Sequence, residues 1–203
     1  MAGFVDPWLT VWVRPRQTIR SLLDKPGSTA GMLAVTVGAG ILNALERMGE
    51  KGMPFSIFQA IVGGTFTGLL MFFLFGALIK WTGQWLGGKG SHRDVRLAIA
   101  WGSYAPAILT GGIWLVKLML FGKDGLAEDP LLPDDSTVTY LLFILLEILK
   151  IVAMFWIVVL GLKAIGEAHR FSAWKALGTI AIICAGILIL LLLSTVIITV
   201  FAV

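Results

Sequence analysis

Five long apolar runs dominate the sequence, and their length decides the solvent in which the chain folds. The runs cover about residues 29–45, 55–81, 98–121, 138–161 and 174–203. A helix of about 20 apolar residues can cross a hydrocarbon core that is roughly 30 Å thick. In that core each backbone N–H and C=O must be paired within its own segment, which favours helices. The runs therefore predict an all-α polytopic membrane protein built as a bundle of five transmembrane helices.

The composition argues against a soluble fold of this size. Of the 203 residues, 58% are hydrophobic and only 14% are charged, and the mean hydropathy is +0.91. A soluble domain must cover its exterior with polar groups and cannot hide this much apolar surface. We expect residues 1–28 to form a cytoplasmic amphipathic segment and residues 29–203 to form one transmembrane domain, with no separate catalytic domain.

Basic residues are distributed unevenly among the segments that separate the runs. The N-terminal segment and the second and fourth loops hold eleven Lys or Arg, whereas the first and third loops hold three. Because Lys and Arg are retained on the cytoplasmic side, we expect a cytoplasmic N-terminus and a C-terminus on the opposite side of the membrane. The basic residues lie at the ends of the runs, which indicates membrane lipids as partners and not nucleic acid.

The segment before the first run predicts short helices with an amphipathic, interfacial character. Asp6-Pro7 and Arg14-Pro15 are typical helix starts, and no cleavable signal peptide is expected. A break is predicted at residues 25–28. A basic amphipathic helix with aromatic anchors is typical of a membrane surface, and the alternative is a plug packed against the cytoplasmic loops. The candidate surface or partner contacts are Trp8, Trp12, Arg14, Arg16, Arg20, Arg93 and Arg170.

Ionisable residues inside the runs mark a candidate intramembrane polar site. Glu147 and Lys150 lie near the middle of the fourth run, on one helix face, where they can pair. Lys117, near the outer end of the third run, can also reach Glu147. A lone charge at that depth costs at least about 2.5 kcal/mol, so each should face protein, a partner or water. The full candidate set is Glu147, Lys150, Lys117, Asn43, Glu46 and Arg47.

Two interpretations of this polar set are open. It can form a hydrophilic pocket for an ion, a proton or a lipid headgroup. It can also be an interhelical ion-pair staple, in which Lys117 and Arg47 extend toward the membrane surface. A water-accessible cavity reaching Glu147 would favour the pocket, and a dry contact between Glu147 and Lys150 would favour the staple.

Other motifs in the runs predict helix shape and packing. Pro106, two residues after Tyr104, marks a candidate helix kink because proline removes one backbone hydrogen bond. The segments 64–68 and 83–87 begin and end with glycine. This small-xxx-small pattern allows two helices to approach closely. We interpret both segments as packing surfaces.

The sequence contains no motif typical of an enzyme, a metal site or a cofactor site. His92 and His169 lie in cytoplasmic connections and are expected to be solvated, because a metal site needs more ligands at fixed spacing. Ser91 and Asp94 predict a capping box. We expect no cofactor and no enzymatic activity. A membrane enzyme would require His169 and Glu167 to converge in one cleft.

Three stretches, in their order and spacing, resemble the Ypt-interacting-protein (Yip) domain family. They are residues 12–20, residues 86–96 leading to Trp101 and Tyr104-Ala-Pro106, and residues 161–176. The resemblance implies a compact prokaryotic-type protein of the inner membrane, with five spans, the topology given above and no catalysis. Eukaryotic relatives bind prenylated Rab-type GTPases and act in vesicle traffic and membrane shaping. This chain lacks their long cytoplasmic N-terminal region, so GTPase binding is doubtful.

Two functions stand as hypotheses. The first is a non-catalytic membrane-organising or trafficking-type adaptor that uses the N-terminal helix and the loops around Arg93 and Arg170. Its partner would be itself or another membrane protein. The second is a small permease or lipid-handling protein with a polar intramembrane cavity around Glu147, Lys150 and Lys117.

Overall fold

The described part of the chain is helical throughout. The computed structural model describes residues 6–24, 29–54, 56–126, 132 and 136–201, and no strand occurs within these ranges. The helices are α1 (Pro7–Val13), α2 (Pro15–Leu23), α3 (Thr29–Glu50), α4 (Ile57–Trp85), α5 (His92–Ile99), α6 (Ala105–Phe121), α7 (Thr137–His169) and α8 (Ala173–Phe201). A π-helical turn, Ala100–Tyr104, joins α5 to α6, and a 3-10 turn, Asp124–Leu126, follows α6. The predicted break at 25–28 lies outside the described residues.

Five helical segments in the described ranges are long and apolar enough to cross a membrane. They are Thr29–Glu50, Ile57–Trp85, His92–Phe121, Thr137–His169 and Ala173–Thr199. The prediction of an all-α, five-span membrane protein is confirmed. Several helices continue past the apolar runs, because polar residues at a membrane surface can keep helical backbone pairing while their side chains meet water.

Side-chain caps fix where several of these helices begin. The Asp6 carboxylate accepts from the backbone N–H of Trp8 at 3.0 Å and starts α1. Ser91 and Asp94 form the predicted capping box of α5, which is confirmed. The hydroxyl groups of Ser56 and Ser136 cap α4 and α7 in the same way. Each cap satisfies a backbone donor that the first helical turn leaves unpaired.

Glycine brings α3 and α4 into close contact. A Cβ added at Gly64 would lie only 2.6 Å from the carbonyl oxygen of Gly40 and 2.7 Å from Cα of Ile41. A Cβ at Gly68 would lie 3.0 Å from Cα of Gly40. The glycine pair at 64–68 is therefore a packing surface, as predicted. It packs two helices of the same chain, α3 and α4, against each other.

The N-terminal helices pack against the bundle through one face. Val11 of α1 and Ile19 of α2 are fully buried. The rings of Trp8 and Trp101 meet edge to face with centroids 5.4 Å apart, and the buried core extends from these helices into α4, α5 and α7. The segment is therefore packed against the helices of the bundle, whereas the plug interpretation expected contacts with the cytoplasmic loops. The opposite face of the segment stays exposed.

Candidate functional site

An ion pair joins two of the spanning helices. Lys117 of α6 donates through Nζ to Oε1 of Glu147 on α7. The Lys117 side chain is 8% exposed, and its ammonium lies 4.6 Å from the ring centroid of Phe143. A buried cation that meets one carboxylate and one aromatic ring is well satisfied. This arrangement is a link between α6 and α7.

Lys150 does not pair with Glu147, so that predicted contact is wrong. Its Nζ instead donates to Oε1 of Glu50, at the end of α3, over 3.2 Å. Residues three apart on a helix point in directions that differ by roughly 60°. Glu147 thus meets α6, whereas Lys150 meets α3. Glu50 was not among the predicted site residues, and only the extension of α3 to its last residue brings it to Lys150.

A cavity of about 390 Å³ lies between α3, α4 and the segment from the π turn into α6. Asn43, Glu46 and Arg47 line it from successive turns of α3, and Tyr104 lines it from the π turn. The other walls are small or apolar and include Thr36, Gly40, Gly68, Met71 and Phe75. Its volume lies in the range of small-molecule sites.

The polar wall of this cavity consists of Asn43 and Arg47, which are exposed, and Glu46. Within the described ranges, the side chains of Asn43, Glu46 and Arg47 form neither a hydrogen bond nor an ion pair. Glu46 is half-buried and lies in the electrostatic field of Lys150 and Glu50. Polar groups in an otherwise apolar wall are costly unless they meet water, an ion or a polar headgroup.

The six candidate residues of the intramembrane set therefore occupy two places. Lys117, Glu147 and Lys150 belong to ion pairs between helices, and none of the three lines the cavity. The cavity expected around them is lined instead by the three candidate residues of α3. The staple interpretation fits the first group, and the pocket interpretation fits the second.

Regular α-helical hydrogen bonding is interrupted at the candidate kink. The N–H of Ala105 bonds to the carbonyl of Ala100, five residues back, and Pro106 follows at the start of α6. Because proline has no N–H, the wider turn accommodates the missing bond. The turn also carries Tyr104, whose ring lies 6.1 Å from the ring of Phe72 and faces the cavity.

A second cavity, of about 760 Å³, opens between α2 and the C-terminal end of α7. Its cationic lining consists of Arg16, Arg20 and Arg170, which come from distant parts of the sequence. Arg20 pairs with Glu167 over 2.7 Å. We call this cavity the basic pocket. The other residues that line it are Leu23, Asp24, Gly166, Glu167, Phe171 and Ser172.

The remaining predicted surface contacts lie outside the basic pocket. Trp8 and Trp12 are half-buried on α1, and Arg14 is exposed at the junction of α1 and α2. Arg93 is half-buried on α5. The structure thus brings together three of the seven predicted contact residues.

His169 is fully buried, so its prediction as a solvated residue is wrong. A Cβ at Gly83 would lie 2.6 Å from Nε2, one at Gly90 would lie 3.1 Å from Nδ1, and one at Gly88 would meet the same nitrogen. The imidazole stacks on Phe171 with centroids 5.0 Å apart. We call Gly83, Gly88 and Gly90 the glycine cradle. The unusual density of glycine at 83–90 is the sequence signal that indicates such a close approach.

Glu167 and His169 do not converge in one cleft. Glu167 binds Arg20 at the basic pocket, whereas His169 is enclosed by the glycine cradle. In the part of the chain that the structure describes, no group of three His, Cys, Asp or Glu is placed to hold a metal ion. Among the described residues, the convergence of Glu167 and His169 that a membrane enzyme would require is therefore not present.

A family model for the Yip1 domain matches residues 9–195 of the chain. In the described ranges, the match includes the first four spanning helices and most of the fifth, Ala173–Thr199. No curated protein and no solved structure matches the chain.

Proposed function

Because the chain belongs to the Yip1 domain family, we propose that it is a non-catalytic protein that organises the membrane and presents an adaptor-type surface on one side. The family is not known as an enzyme family. Five spanning helices and membership of this family fit an integral membrane protein. The uneven distribution of Lys and Arg supports a cytoplasmic position for the N-terminal helices. The resemblance to compact prokaryotic-type members of the family supports the inner membrane of a prokaryote.

The two faces of the N-terminal helices carry this proposal. On α1, Val11 is fully buried against the bundle, whereas Leu9 and Val13 are 68% and 79% exposed. The ion pair between Arg20 and Glu167 ties the following helix to α7. Apolar side chains held rigidly at the end of a bundle act as a shallow wedge in one leaflet, and such wedges couple to membrane curvature.

Vesicle shape tests the proposal. The full chain, reconstituted into anionic vesicles at a fixed protein-to-lipid ratio, should shift the vesicle diameters seen by electron cryomicroscopy to smaller values. The variant Leu9→Gln/Val13→Gln should lose most of that shift while its helical circular dichroism stays unchanged.

The matched control replaces two exposed apolar residues at the other end of the bundle, Met53→Gln/Ile57→Gln, and should keep the shift. Vesicles of unchanged diameter with the wild-type chain would contradict the proposal. So would a Leu9→Gln/Val13→Gln variant that narrows vesicles as strongly as the wild type does.

The cavity between α3 and α4 favours a second candidate function, a lipid-handling protein or small permease. Its unpartnered polar wall is the observation that supports this reading. Ala107 of α6 also lines the cavity. Filling the cavity by Ala107→Phe should abolish any transfer of fluorescent lipid or of ions across reconstituted vesicles. If the wild-type chain gives no transfer above that of protein-free vesicles, this second function is wrong.

A further inference from the structure

We propose that the basic pocket binds a phosphate group, carried either by the headgroup of an anionic lipid or by a soluble phosphate ester. The proposal goes beyond the organising function, because phosphate binding requires only the side chains that line the pocket. It makes the pocket a ligand site, whereas the wedge on α1 acts without any ligand.

The charges that line the pocket leave cationic groups available. Arg20 is neutralised by Glu167, which accepts from both Nε and Nη2 of Arg20. Arg16 and Arg170 have no ion pair within the described ranges. Asp24 supplies the other carboxylate of the lining. Because three arginines line the pocket with only these two carboxylates, the pocket is positive overall. Guanidinium groups match the geometry of a phosphate, with two parallel N–H donors for two oxygens.

The backbone conformation of Arg170 indicates that its side chain is needed at this position. Arg170 has φ 58°, and it is the one non-glycine residue with positive φ in the described ranges. It ends α7 in a Schellman motif, in which the N–H of Phe171 bonds to the carbonyl of Gly166 over 2.9 Å. Glycine is the usual residue at this position, and another residue costs about 1–2 kcal/mol there. The chain accepts this cost and places a guanidinium at the pocket.

The size and apolar walls of the pocket indicate an organic phosphate. Its volume of about 760 Å³ exceeds what a bare phosphate ion fills. Leu23 and Phe171 are half-buried and line it beside the arginines. These side chains can contact the carbon atoms that carry the phosphate, such as a glycerol group.

Binding to the purified full-length chain in a non-ionic detergent tests the proposal. We expect a short-chain phosphatidylglycerol to bind in isothermal titration calorimetry and phosphatidylcholine to bind more weakly. Arg16→Gln/Arg170→Gln should weaken phosphatidylglycerol binding at least tenfold. The control Lys51→Gln/Lys89→Gln removes the same charge from exposed residues outside the pocket and should change binding less than twofold.

Glycerol 3-phosphate separates the two sources of phosphate. If it binds alone and displaces the lipid completely, the ligand class is a soluble phosphate ester. If only the diacyl lipid binds, the ligand is the headgroup.

Arg170→Gly distinguishes a binding role from a structural one. Glycine relieves the backbone cost, so the thermal midpoint should rise while phosphate binding falls. A variant that is less stable and binds normally would contradict the proposal.

Two further results would overturn it: no binding of any phosphate compound, or equal binding by the Arg16→Gln/Arg170→Gln variant and the lysine control. Either result leaves the organising function intact if the wild-type chain still narrows vesicles.

Discussion

The sequence predicted the ion-pair partner of Lys117 correctly, but not that of Lys150. Its position near the end of the third run predicted that it can reach Glu147, and the two residues are in contact. The neighbouring prediction, that Lys150 pairs with Glu147, is wrong because Lys150 meets Glu50. Hydropathy and helical spacing are local properties of one segment. The partner of a charge depends on which helix packs beside it, and these local properties do not give that packing.

Removing one member of the pair between Lys117 and Glu147 should destabilise the protein more than removing both. Glu147→Gln leaves a buried ammonium without its carboxylate and should cost on the order of 1–3 kcal/mol. Lys117→Leu/Glu147→Leu should recover most of this loss, because neither charge is then left buried alone. Thermal unfolding in detergent, followed by circular dichroism, measures the difference.

Lys150→Gln is the control for this prediction. Its pair with Glu50 is half-exposed, so the change should cost less than about 1 kcal/mol. If Lys117→Leu/Glu147→Leu is as unstable as Glu147→Gln, the pair between Lys117 and Glu147 does more than hold α6 and α7 together, and the prediction is wrong.

At the scale of helices and loops, the sequence predicts the spans well and the contacts between them poorly. The apolar runs located all five spanning helices, since each run identifies itself by its own composition. The capping box at Ser91 and the glycine surface at 64–68 were also local patterns. The burial of His169 was missed, because it depends on the connection between α4 and α5 folding over the end of α7. The cavity wall at Asn43 and Glu46 likewise exists only where α3, α4 and the π turn meet.

Gly88→Ala should destabilise the protein through the imidazole of His169. The added Cβ would overlap the ring, and overpacking of this kind typically costs about 1–3 kcal/mol. His169→Ala in the same chain should relieve the part of this cost that comes from the ring, whereas the overlap of the added Cβ with the carbonyl oxygen of Gly83, 2.7 Å away, should remain. Thermal unfolding of the single and double variants measures the coupling.

Gly87→Ala serves as the comparison, because Gly87 has φ 85° and no atom within 4 Å of an added Cβ. Its cost comes from the backbone alone, so His169→Ala should not relieve it. Equal relief of both glycine variants would contradict the glycine cradle.

For the whole molecule, the distribution of charge predicts the direction in which the bundle sits in the membrane. The end that holds α1, α2 and the basic pocket carries most of the Lys and Arg, and the family match covers the chain without deciding its orientation. Orientation matters for function, because it decides which leaflet meets the exposed face of α1 and which compartment supplies a ligand to the basic pocket.

Cysteine labelling tests this orientation. In a Cys184→Ser background, Lys51→Cys should react with a membrane-impermeant maleimide in intact cells, and Lys89→Cys should react only after lysis. Both lysines are exposed at the surface of the structure, so access is set by the membrane. The reverse labelling pattern would invert the orientation and place α1 and α2 outside the cytoplasm.

The unequal lengths of the spanning helices have a consequence for the surrounding lipid. The apolar run of α3 has about 17 residues and that of α7 about 24, which correspond to about 26 Å and about 36 Å of helix. A bilayer of uniform thickness cannot match both, so the long helix must tilt or the lipid beside it must thicken. The protein therefore faces its annulus of lipid with a built-in hydrophobic mismatch. Such mismatch favours the boundary between thinner and thicker regions of a membrane, where lateral sorting occurs.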